Sequence, residues 1–320
     1  MLNILRRGAH GFQSESVTAE TMAAWRPPAD AVWIDLLSPT RDEELAVEAA
    51  LSVELPTAEE MAQIEPSSRL YQEAGATFMT ASLLARSEEG PSAEPVTFVL
   101  IHGLLVTIRY APLRAFMVFG ERAPEAGVAS GSAALLGLLD AVIERLAQIL
   151  DQTGDAVETN SAAIFRRPES KLFEPLLTDL ARAQSATSLT RTSLVSLARL
   201  LSFAALAPEI TADADASAHL KSLHSDAQSL TEHASFQSTH ISFLLDAALG
   251  LINIDQNGII KFFSVAAVIF MPPTLVASIY GMNFHHMPEL AWRFGYPMAL
   301  CFMVASAVVP ILWFKRRGWL

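Results

Sequence analysis

Hydrophobic and polar residues are arranged in three different ways along the chain, and each arrangement predicts a different structure. Residues 31–37, 77–84 and 96–110 are rich in β-branched and aromatic side chains, which favours strands. The third run is interrupted at His102-Gly103, as expected for a hairpin, whereas the glycine and prolines of residues 88–95 predict a loop. The chain therefore begins with a mixed α/β domain.

Helices are predicted within this domain and, more strongly, after it. Thr40 and Glu43 have the spacing of a capping box and predict the start of a helix. Strand patterns end after residues 1–130, and over residues 131–209 apolar residues recur at every third or fourth position, as in a helix. A second helix of this helical segment is predicted for residues 172–206. The sequence thus predicts a cytoplasmic α/β domain followed by a cytoplasmic helical segment.

The third arrangement consists of two apolar runs, residues 259–280 and 294–314, that are long enough to cross a bilayer once each. As helices they would rise about 33 Å and about 31 Å, against a hydrocarbon core of roughly 30 Å. Between Pro208 and Gly250 there is neither proline nor glycine, so a stalk helix over residues 210–258 is predicted to continue into the first span. A short external loop, residues 281–293, would join the two spans.

Basic residues determine the orientation of the membrane part, residues 259–320. Lys261 and residues 315–317 lie at one end of the spans, while Arg293 alone lies at the other. The positive-inside rule therefore predicts an external loop and two cytoplasmic termini in a multi-pass membrane protein. No apolar run follows Arg6 and Arg7, so a secretory signal is not expected.

Charge is distributed unevenly between the two ends of the chain, whose formal net charge is −12. Residues 1–130 hold 18 acidic against 9 basic side chains, and residues 258–320 hold 1 against 5. An acidic cytoplasmic region disfavours a nucleic-acid partner and suits a cation, although the same acidity would also serve solubility alone. Cys301 is the only cysteine, so neither a disulfide nor a thiolate metal site is expected.

A short motif marks the predicted external loop. It begins with Tyr280-Gly281-Met282-Asn283, and Met287-Pro288-Glu289-Leu290 follows closely. Together with the basic C-terminus, these residues resemble the CorA family of divalent-cation channels, whose signature is Tyr-Gly-Met-Asn. The resemblance is close over about residues 256–320 and looser at Trp33-Ile34-Asp35-Leu36 and at residues 55–71, which look like that family's cytoplasmic domain.

The resemblance implies a fold and an activity. The expected architecture is an α+β cytoplasmic domain, a long stalk helix and two C-terminal transmembrane helices, assembled into a funnel-shaped homopentamer in membrane lipid. The expected activity is Mg²⁺ influx driven by the membrane potential, with Co²⁺ and Ni²⁺ as further candidate ions. A divalent ion crossing about 100 mV gains roughly 4.6 kcal/mol, and the chain contains no ATP-binding motif.

A stripe of mostly small or polar residues runs along the first predicted span and the end of the stalk. Steps of four and three residues from Asp246 give Asp246, Gly250, Asn253, Asn257, Ile260, Ser264, Ala267, Met271, Thr274 and Ser278. Polar side chains inside a bilayer usually face water or a bundle interior, which favours a pore lining, although small residues also permit close helix packing.

The resemblance assigns pore ligands and a gate to five of these positions. Met271 and Ile260 would be hydrophobic constrictions, whereas Asn257 and Asp246 would form polar rings that hold a hydrated cation. Thr274 would be a further pore ligand. The resemblance also places a gate residue at Phe263, whereas the stripe selects its neighbour Ser264.

The same resemblance makes Gly281, Met282 and Asn283 the selectivity filter. Mg²⁺ releases its water shell reluctantly, so a ring of Asn283 amide oxygens that bonds the hydrated ion avoids most of that cost. Gly281 would allow the chain to turn after the first span. Glu289, the acidic residue of the external loop, would concentrate cations at the mouth, unless it is simply a loop charge.

Regulation by cytoplasmic Mg²⁺ is also implied by the resemblance, through carboxylates between subunits. The family's acidic stalk position falls near Ser222 here, so Asp213, Asp215 and Asp226 are the candidate substitutes, with a solvated helix face as the simpler interpretation. Histidines are the other candidate metal ligands. Those of the stalk, His219, His224, His233 and His240, do not have the i, i+4 spacing of a metal-binding pair. Those of the external loop, His285 and His286, are candidates for binding softer ions such as Co²⁺, Ni²⁺ or Zn²⁺, although loop polarity is the simpler reason for them.

Three functions are therefore compatible with the sequence: a Mg²⁺ channel, a Zn²⁺ transporter of the related ZntB type, and a soluble domain that two helices merely anchor. Retention of Tyr280 and of residues 287–290 favours Mg²⁺ over Zn²⁺. We expect no enzymatic activity, no catalytic residue and no cofactor, with Mg²⁺ as substrate and regulatory ligand.

Overall fold

The computed structural model describes residues 1–7, 13–15, 20–21, 24–63, 65, 69–87, 90–123, 128–166, 173–282, 287–288 and 292–319. The chain divides into two compact units. The first consists of Met1–Arg166 and Pro175–Leu244, and the second consists of Arg167–Glu174 and Leu245–Leu320.

The first unit is built on a single sheet, in which the described residues form seven strands in the order β2-β1-β3-β7-β6-β5-β4. Neighbouring strands are antiparallel except for β3 and β7, which are parallel. The strands are β1 (Leu2–Arg6), β2 (Gln13–Glu15), β3 (Ala31–Leu37), β4 (Leu70–Glu73), β5 (Ala76–Ser87), β6 (Gly90–Ile101) and β7 (Leu104–Arg109).

Helices supply the two faces of this sheet with apolar partners. On one face α1 (Arg41–Leu51) and α2 (Ala58–Ala62) cover a cluster that includes Ile34 and Phe78. The other face packs against the helices that follow the last strand, and Trp33 of β3 contacts the aromatic rings of Phe116 and Phe119 there. These helices are α3 (Arg114–Arg122), α4 (Gly131–Phe165), α5 (Phe173–Ala204), α6 (Pro208–Thr211) and the first part of α7 (Ala214–Tyr280). The α/β beginning and the helices that follow it are as predicted.

A buried ion pair joins the two parallel strands. Asp35 on β3 accepts hydrogen bonds from Arg109 on β7, with Nε to Oδ1 at 3.0 Å and Nη2 to Oδ2 at 2.8 Å. Thr107 donates to Asp35 Oδ1 at 2.8 Å and accepts from the indole of Trp33 at 2.9 Å. The guanidinium also lies 4.6 Å from the ring centroid of Phe116. Both charges are therefore buried with hydrogen-bond partners, the arrangement in which a buried ion pair is tolerated.

Local interactions at the predicted turns and caps agree with the sequence. Thr40 accepts a hydrogen bond from the backbone of Glu43 at 3.3 Å, and the Glu43 carboxylate accepts one from the backbone of Thr40 at 2.9 Å. Between β6 and β7, His102 and Gly103 have φ values of 49° and 76°, as a two-residue hairpin turn with positive φ requires. The capping box and the hairpin are thus confirmed.

The loop predicted for residues 88–95 is wrong over its described part, because β6 already begins at Gly90. Pro91 and Pro95 pair with Arg86 and Ser82 on β5, while β7 pairs with β6 only from Val96 onward. A proline cannot donate to a strand ladder, but in this part of β6 one side has no partner strand that would need the missing N–H. Proline is therefore compatible with the strand here.

Among the residues that the structure describes, two helices are long and apolar enough to span a membrane. Helix α7 is continuous over 67 residues, which confirms the single stalk-to-span helix. The other is α8 (Gly295–Arg316), in agreement with the second predicted span. The apolar window of each is almost entirely exposed, unlike that of a core helix in a soluble protein.

Candidate ion-conducting site

One face of α7 within the second unit is the side that pairs with α8. The Lys261 ammonium lies 5.5 Å from the ring centroid of Trp319, just beyond the end of α8. Further along α7, Val265 is buried, as is Ala299 on α8. Further half-buried positions of α7 continue at helical spacing from Lys261, among them Ile269, Pro272, Pro273, Val276 and Tyr280.

The ten residues of the stripe lie on a different face of α7. All ten are exposed, and the largest, Ile260 and Met271, are 62% and 69% exposed. At about 100° per residue, the stripe is centred well over a quarter turn from Val265. Bulky apolar residues occupy the flanking exposed positions, among them Phe262, Val268, Phe270, Leu275 and Ile279. The exposed surface of α7 thus has two parts. The bulky apolar part is suited to contact with lipid, whereas the stripe, which contains polar side chains, is not.

Phe263 and Ser264 lie at the two borders of this stripe. Both are exposed, and the Phe263 ring packs edge-on against Phe262 with centroids 5.7 Å apart. Because neither residue is shielded by α8, which of them faces a pore depends on neighbouring copies of the helix and stays a prediction.

Two consecutive prolines follow Met271 inside α7. Pro272 and Pro273 lack the N–H groups that would otherwise bond to the carbonyl oxygens of Val268 and Ile269. Thr274 donates its hydroxyl to the carbonyl oxygen of Phe270 at 2.8 Å. Carbonyl oxygens without helical donors therefore occur next to the predicted constriction at Met271.

The helix ends at the predicted filter. Gly281 N donates to the carbonyl oxygen of Ala277 at 2.9 Å, and Met282 N donates to that of Ile279 at 3.3 Å. A Cβ added to Gly281 would lie 3.1 Å from the Ala277 carbonyl oxygen, which is closer than ordinary contact. Glycine therefore fits tightly where the chain leaves α7. The other loop residues assigned from the sequence lie outside the described residues: Asn283, His285, His286 and Glu289.

Two of the three candidate regulatory carboxylates line an acidic cavity of about 460 Å³ in the first unit. Asp213 and Asp215 line it together with Asp140 and Glu144 of α4, and Arg122 and His219 are its other charged or titratable lining residues. Asp226 is exposed on α7 and does not line this cavity. Asp140 and Glu144 were not predicted as site residues, although their i, i+4 spacing places two carboxylates on one exposed helix face.

Asp213 also has a structural role. Its Oδ1 accepts hydrogen bonds from the backbone N–H groups of Asp215 and Ala216, at 2.9 Å and 3.3 Å, and so caps the start of α7. Within the described part of the chain, no group of three or more His, Cys, Asp or Glu side chains is arranged to hold a metal ion. His224 instead contacts Ser202, with 3.0 Å between Nε2 and Oγ.

Comparison with known proteins gives relatives along nearly the whole chain. The family described as CorA-like Mg2+ transporter protein matches residues 28–316. The magnesium transport protein CorA of Escherichia coli (strain K12) is 36% identical over 315 residues, which cover 98% of this chain and 99% of that protein.

Solved structures of two other proteins have a fold similar to that of this chain. The complete CorA magnesium transporter from Methanocaldococcus jannaschii aligns with a TM-score of 0.75 at 17% identity, covering 100% of this chain and 99% of that one. The ZntB cytoplasmic domain from Vibrio parahaemolyticus aligns with a TM-score of 0.57 at 14% identity, covering 79% and 98%. Given the family match over most of its length and a relative of 36% identity that covers nearly all of it, this chain belongs to the CorA family.

Proposed function

We propose that this protein is a Mg²⁺ channel of the inner membrane, with both termini in the cytoplasm. The observation that carries the proposal is the stripe of small and polar residues on α7, which is exposed in the single chain and flanked by bulky apolar residues. A polar stripe is costly against lipid, so it requires a bundle interior or water. The 36% identical relative named as a magnesium transport protein supports Mg²⁺ as the ion.

A pore lined by one helix face requires several copies of the chain, and we propose a homopentamer. Five copies of α7 would place the stripe towards a common axis and α8 outside it, since α8 pairs with another face of α7. Asp246, Asn253 and Asn257 would then form successive polar rings, and Thr274 a further one near the external end. Ile260 and Met271 would form apolar constrictions between them.

The filter would consist of Gly281, Met282 and Asn283, with Asn283 amide oxygens bonded to the water shell of the ion. Selection of a hydrated ion avoids most of the dehydration cost of Mg²⁺. Glu289 would raise the local cation concentration at the external mouth. Co²⁺ and Ni²⁺, which also carry six-coordinate water shells, are proposed as secondary substrates.

Zinc transport and simple anchoring are the alternatives. The likeness to the ZntB cytoplasmic domain is a likeness of fold at 14% identity and does not favour Zn²⁺ over Mg²⁺. An anchored domain would need no polar stripe in its membrane helix. A flux assay with the purified protein in liposomes, comparing Mg²⁺, Co²⁺ and Zn²⁺, tests all three functions. Absence of Mg²⁺ flux under an inside-negative potential would contradict the proposal.

The gate can be tested at Met271. If its thioether side chains close the pore by excluding water, Met271→Ser should increase basal flux several-fold at high internal Mg²⁺. Val268→Ser is the matched control, because it places the same hydroxyl on an exposed apolar face of α7 outside the stripe. Flux is measured in liposomes loaded with a Mg²⁺-sensitive dye. A leak equal to that of the parent would place the constriction elsewhere, with Ile260 as the next candidate.

The regulatory carboxylates can be tested by ligand-linked stability. If Mg²⁺ bound to them holds the closed state, an ion concentration of 100 Kd would stabilise that state by about 2.7 kcal/mol. Millimolar Mg²⁺ should then slow proteolysis and raise the melting temperature. Replacing Asp213, Asp215 and Asp226 by asparagine should reduce both effects, while asparagine at residue 213 retains the helix cap.

The matched control for this triple variant removes three exposed negative charges from α4. It combines Asp151→Asn, Asp155→Asn and Glu158→Gln, none of which lines the acidic cavity. Full Mg²⁺ protection in the stalk variant would show that Asp213, Asp215 and Asp226 form only a solvated surface. Equal loss in both variants would indicate a nonspecific effect of charge.

A further inference from the structure

A second cavity of about 370 Å³ lies in the first unit, at the edge of the sheet. Strand β4 pairs with residues 76–79 of β5, so the rest of β5 has no partner strand on that side among the described residues. Helix α5 covers this edge instead, and the Ser196 hydroxyl accepts a hydrogen bond from the backbone N–H of Ser82 at 2.9 Å. The cavity is bounded by β5, α5 and the start of β4.

Its lining is cationic, in a chain whose net charge is −12. Three arginines, Arg69, Arg191 and Arg199, line this arginine cavity, and none of its described lining residues is a carboxylate. Hydroxyl groups supply most of the remaining polar lining, from Thr80, Ser82, Ser188, Thr192 and Ser196. On α5 these residues recur every three or four positions, so one face of the helix presents them all.

Arg69 is half-buried and is held by neutral partners. Its Nη1 donates to Ser82 Oγ at 3.0 Å, and its Nε donates to the carbonyl oxygen of Gln63. Arg191 and Arg199 are exposed on α5. One guanidinium is thus held in place while two others can adjust, an arrangement that fits recognition of an anion from several sides.

The positive charge of the cavity is not offset by a carboxylate among its described lining residues. Burial, and then the charge of Arg199, lower the pKa of the Arg69 guanidinium from its ordinary value. Elsewhere in the described chain Arg41, Arg109 and Arg182 are paired with carboxylates. An anion in the arginine cavity would offset the mutual repulsion of its guanidinium groups.

We propose that the arginine cavity binds a phosphate group of a small molecule. Guanidinium groups bind phosphate oxygens through paired N–H donors, and serine and threonine hydroxyls supply further donors. The volume falls in the range of small-molecule sites. No aromatic side chain is among the described lining residues, so recognition would depend on the phosphate part of the ligand rather than on a stacked ring. This site is independent of the proposed pore.

The probe is inorganic pyrophosphate, titrated into the full-length protein in detergent by calorimetry. Mg²⁺ is removed with a chelator, and KCl holds the ionic strength constant, so that neither a Mg²⁺ complex nor general screening contributes. We expect saturable binding. Arg191→Ala and Arg199→Ala should each weaken it about tenfold or more, as loss of a charge-assisted hydrogen bond does.

Arg182→Ala is the matched control, because Arg182 lies on the same helix, is exposed and does not line the cavity. Its affinity for pyrophosphate should equal that of the parent. A parallel titration with a short-chain phosphatidic acid distinguishes the source of the phosphate group: tighter binding of the lipid indicates a headgroup, and tighter binding of pyrophosphate indicates a free metabolite.

Three results would overturn the proposal. They are no saturable binding by the parent, equal weakening in the Arg182→Ala variant, or loss of oligomer stability in the Arg191→Ala and Arg199→Ala variants without any pyrophosphate binding. The last result would mean that carboxylates of another copy of the chain occupy the arginine cavity.

Discussion

Replacement of Asn283 by alanine is expected to abolish Mg²⁺ uptake while leaving the protein assembled. The change removes one amide oxygen per subunit from the proposed filter, so the hydrated ion loses the acceptors that would hold its water shell at the external mouth. The lengths and apolar areas of α7 and α8 are unchanged by it. Uptake is measured in liposomes under a potential, and assembly by size-exclusion chromatography with light scattering.

Gln228→Ala provides the matched control for this experiment. It also removes a side-chain amide, from an exposed position of α7 that lies outside the stripe. Uptake by this variant should match that of the parent. Near-normal uptake by an assembled Asn283→Ala protein would remove the basis for assigning the filter to residues 281–283.

Replacement of Arg109 by methionine is expected to destabilise the first unit by about 3–5 kcal/mol, because it leaves the Asp35 carboxylate buried without its charged partner. For a unit of this size the melting temperature should fall by about 6–20 °C. The melting temperature is measured by differential scanning calorimetry of the full-length protein in detergent.

An exposed ion pair is the appropriate comparison. Arg182→Met breaks the pair with Asp179, in which the Arg182 side chain is 76% exposed, and should cost about 0–1 kcal/mol. The double variant Asp35→Leu with Arg109→Met should recover much of the lost stability, because it removes both buried charges together. If Arg109→Met unfolded at the same temperature as Arg182→Met, the buried pair would not hold β3 and β7 together.

The parts of the fold that depend on length and local chemistry could be predicted from the sequence. Two predominantly apolar runs and an uninterrupted helical segment predict α7 and α8, because a predominantly apolar run of about 20 residues is the length that a membrane-spanning helix requires. The capping box at Thr40 and the hairpin at His102-Gly103 follow from the side chains of those residues alone.

Other parts depend on contacts between distant residues and could not be predicted in this way. Strands β1, β2 and β4 contain 5, 3 and 4 residues, which is too short for a periodic pattern, and exist because neighbouring strands pair with them. The prolines of β6 indicated a loop because sequence alone does not show which edge of a strand is left unpaired.

The candidate sites likewise include residues that could be predicted from local spacing and residues that could not. Local spacing on one helix was sufficient to identify the stripe on α7. Asp140 and Glu144 can be recognised as candidate site residues only from the fold, in which they line the same cavity as Asp213 and Asp215. Likewise, Arg69 precedes Arg191 by more than 100 residues, and only the approach of α5 to β5 places their charges around one cavity.

The sheet also has a consequence for the synthesis of this protein. Strand β3 pairs in parallel with β7, where Trp33 is opposite Leu105, so the sheet is incomplete until β7 has been translated. Strand β7 is the last strand along the chain and ends at Arg109. The first apolar run begins about 150 residues later, which at roughly 5–20 residues per second leaves about 8–30 s. All the strands can therefore be paired before the translating ribosome delivers a segment that must enter the bilayer.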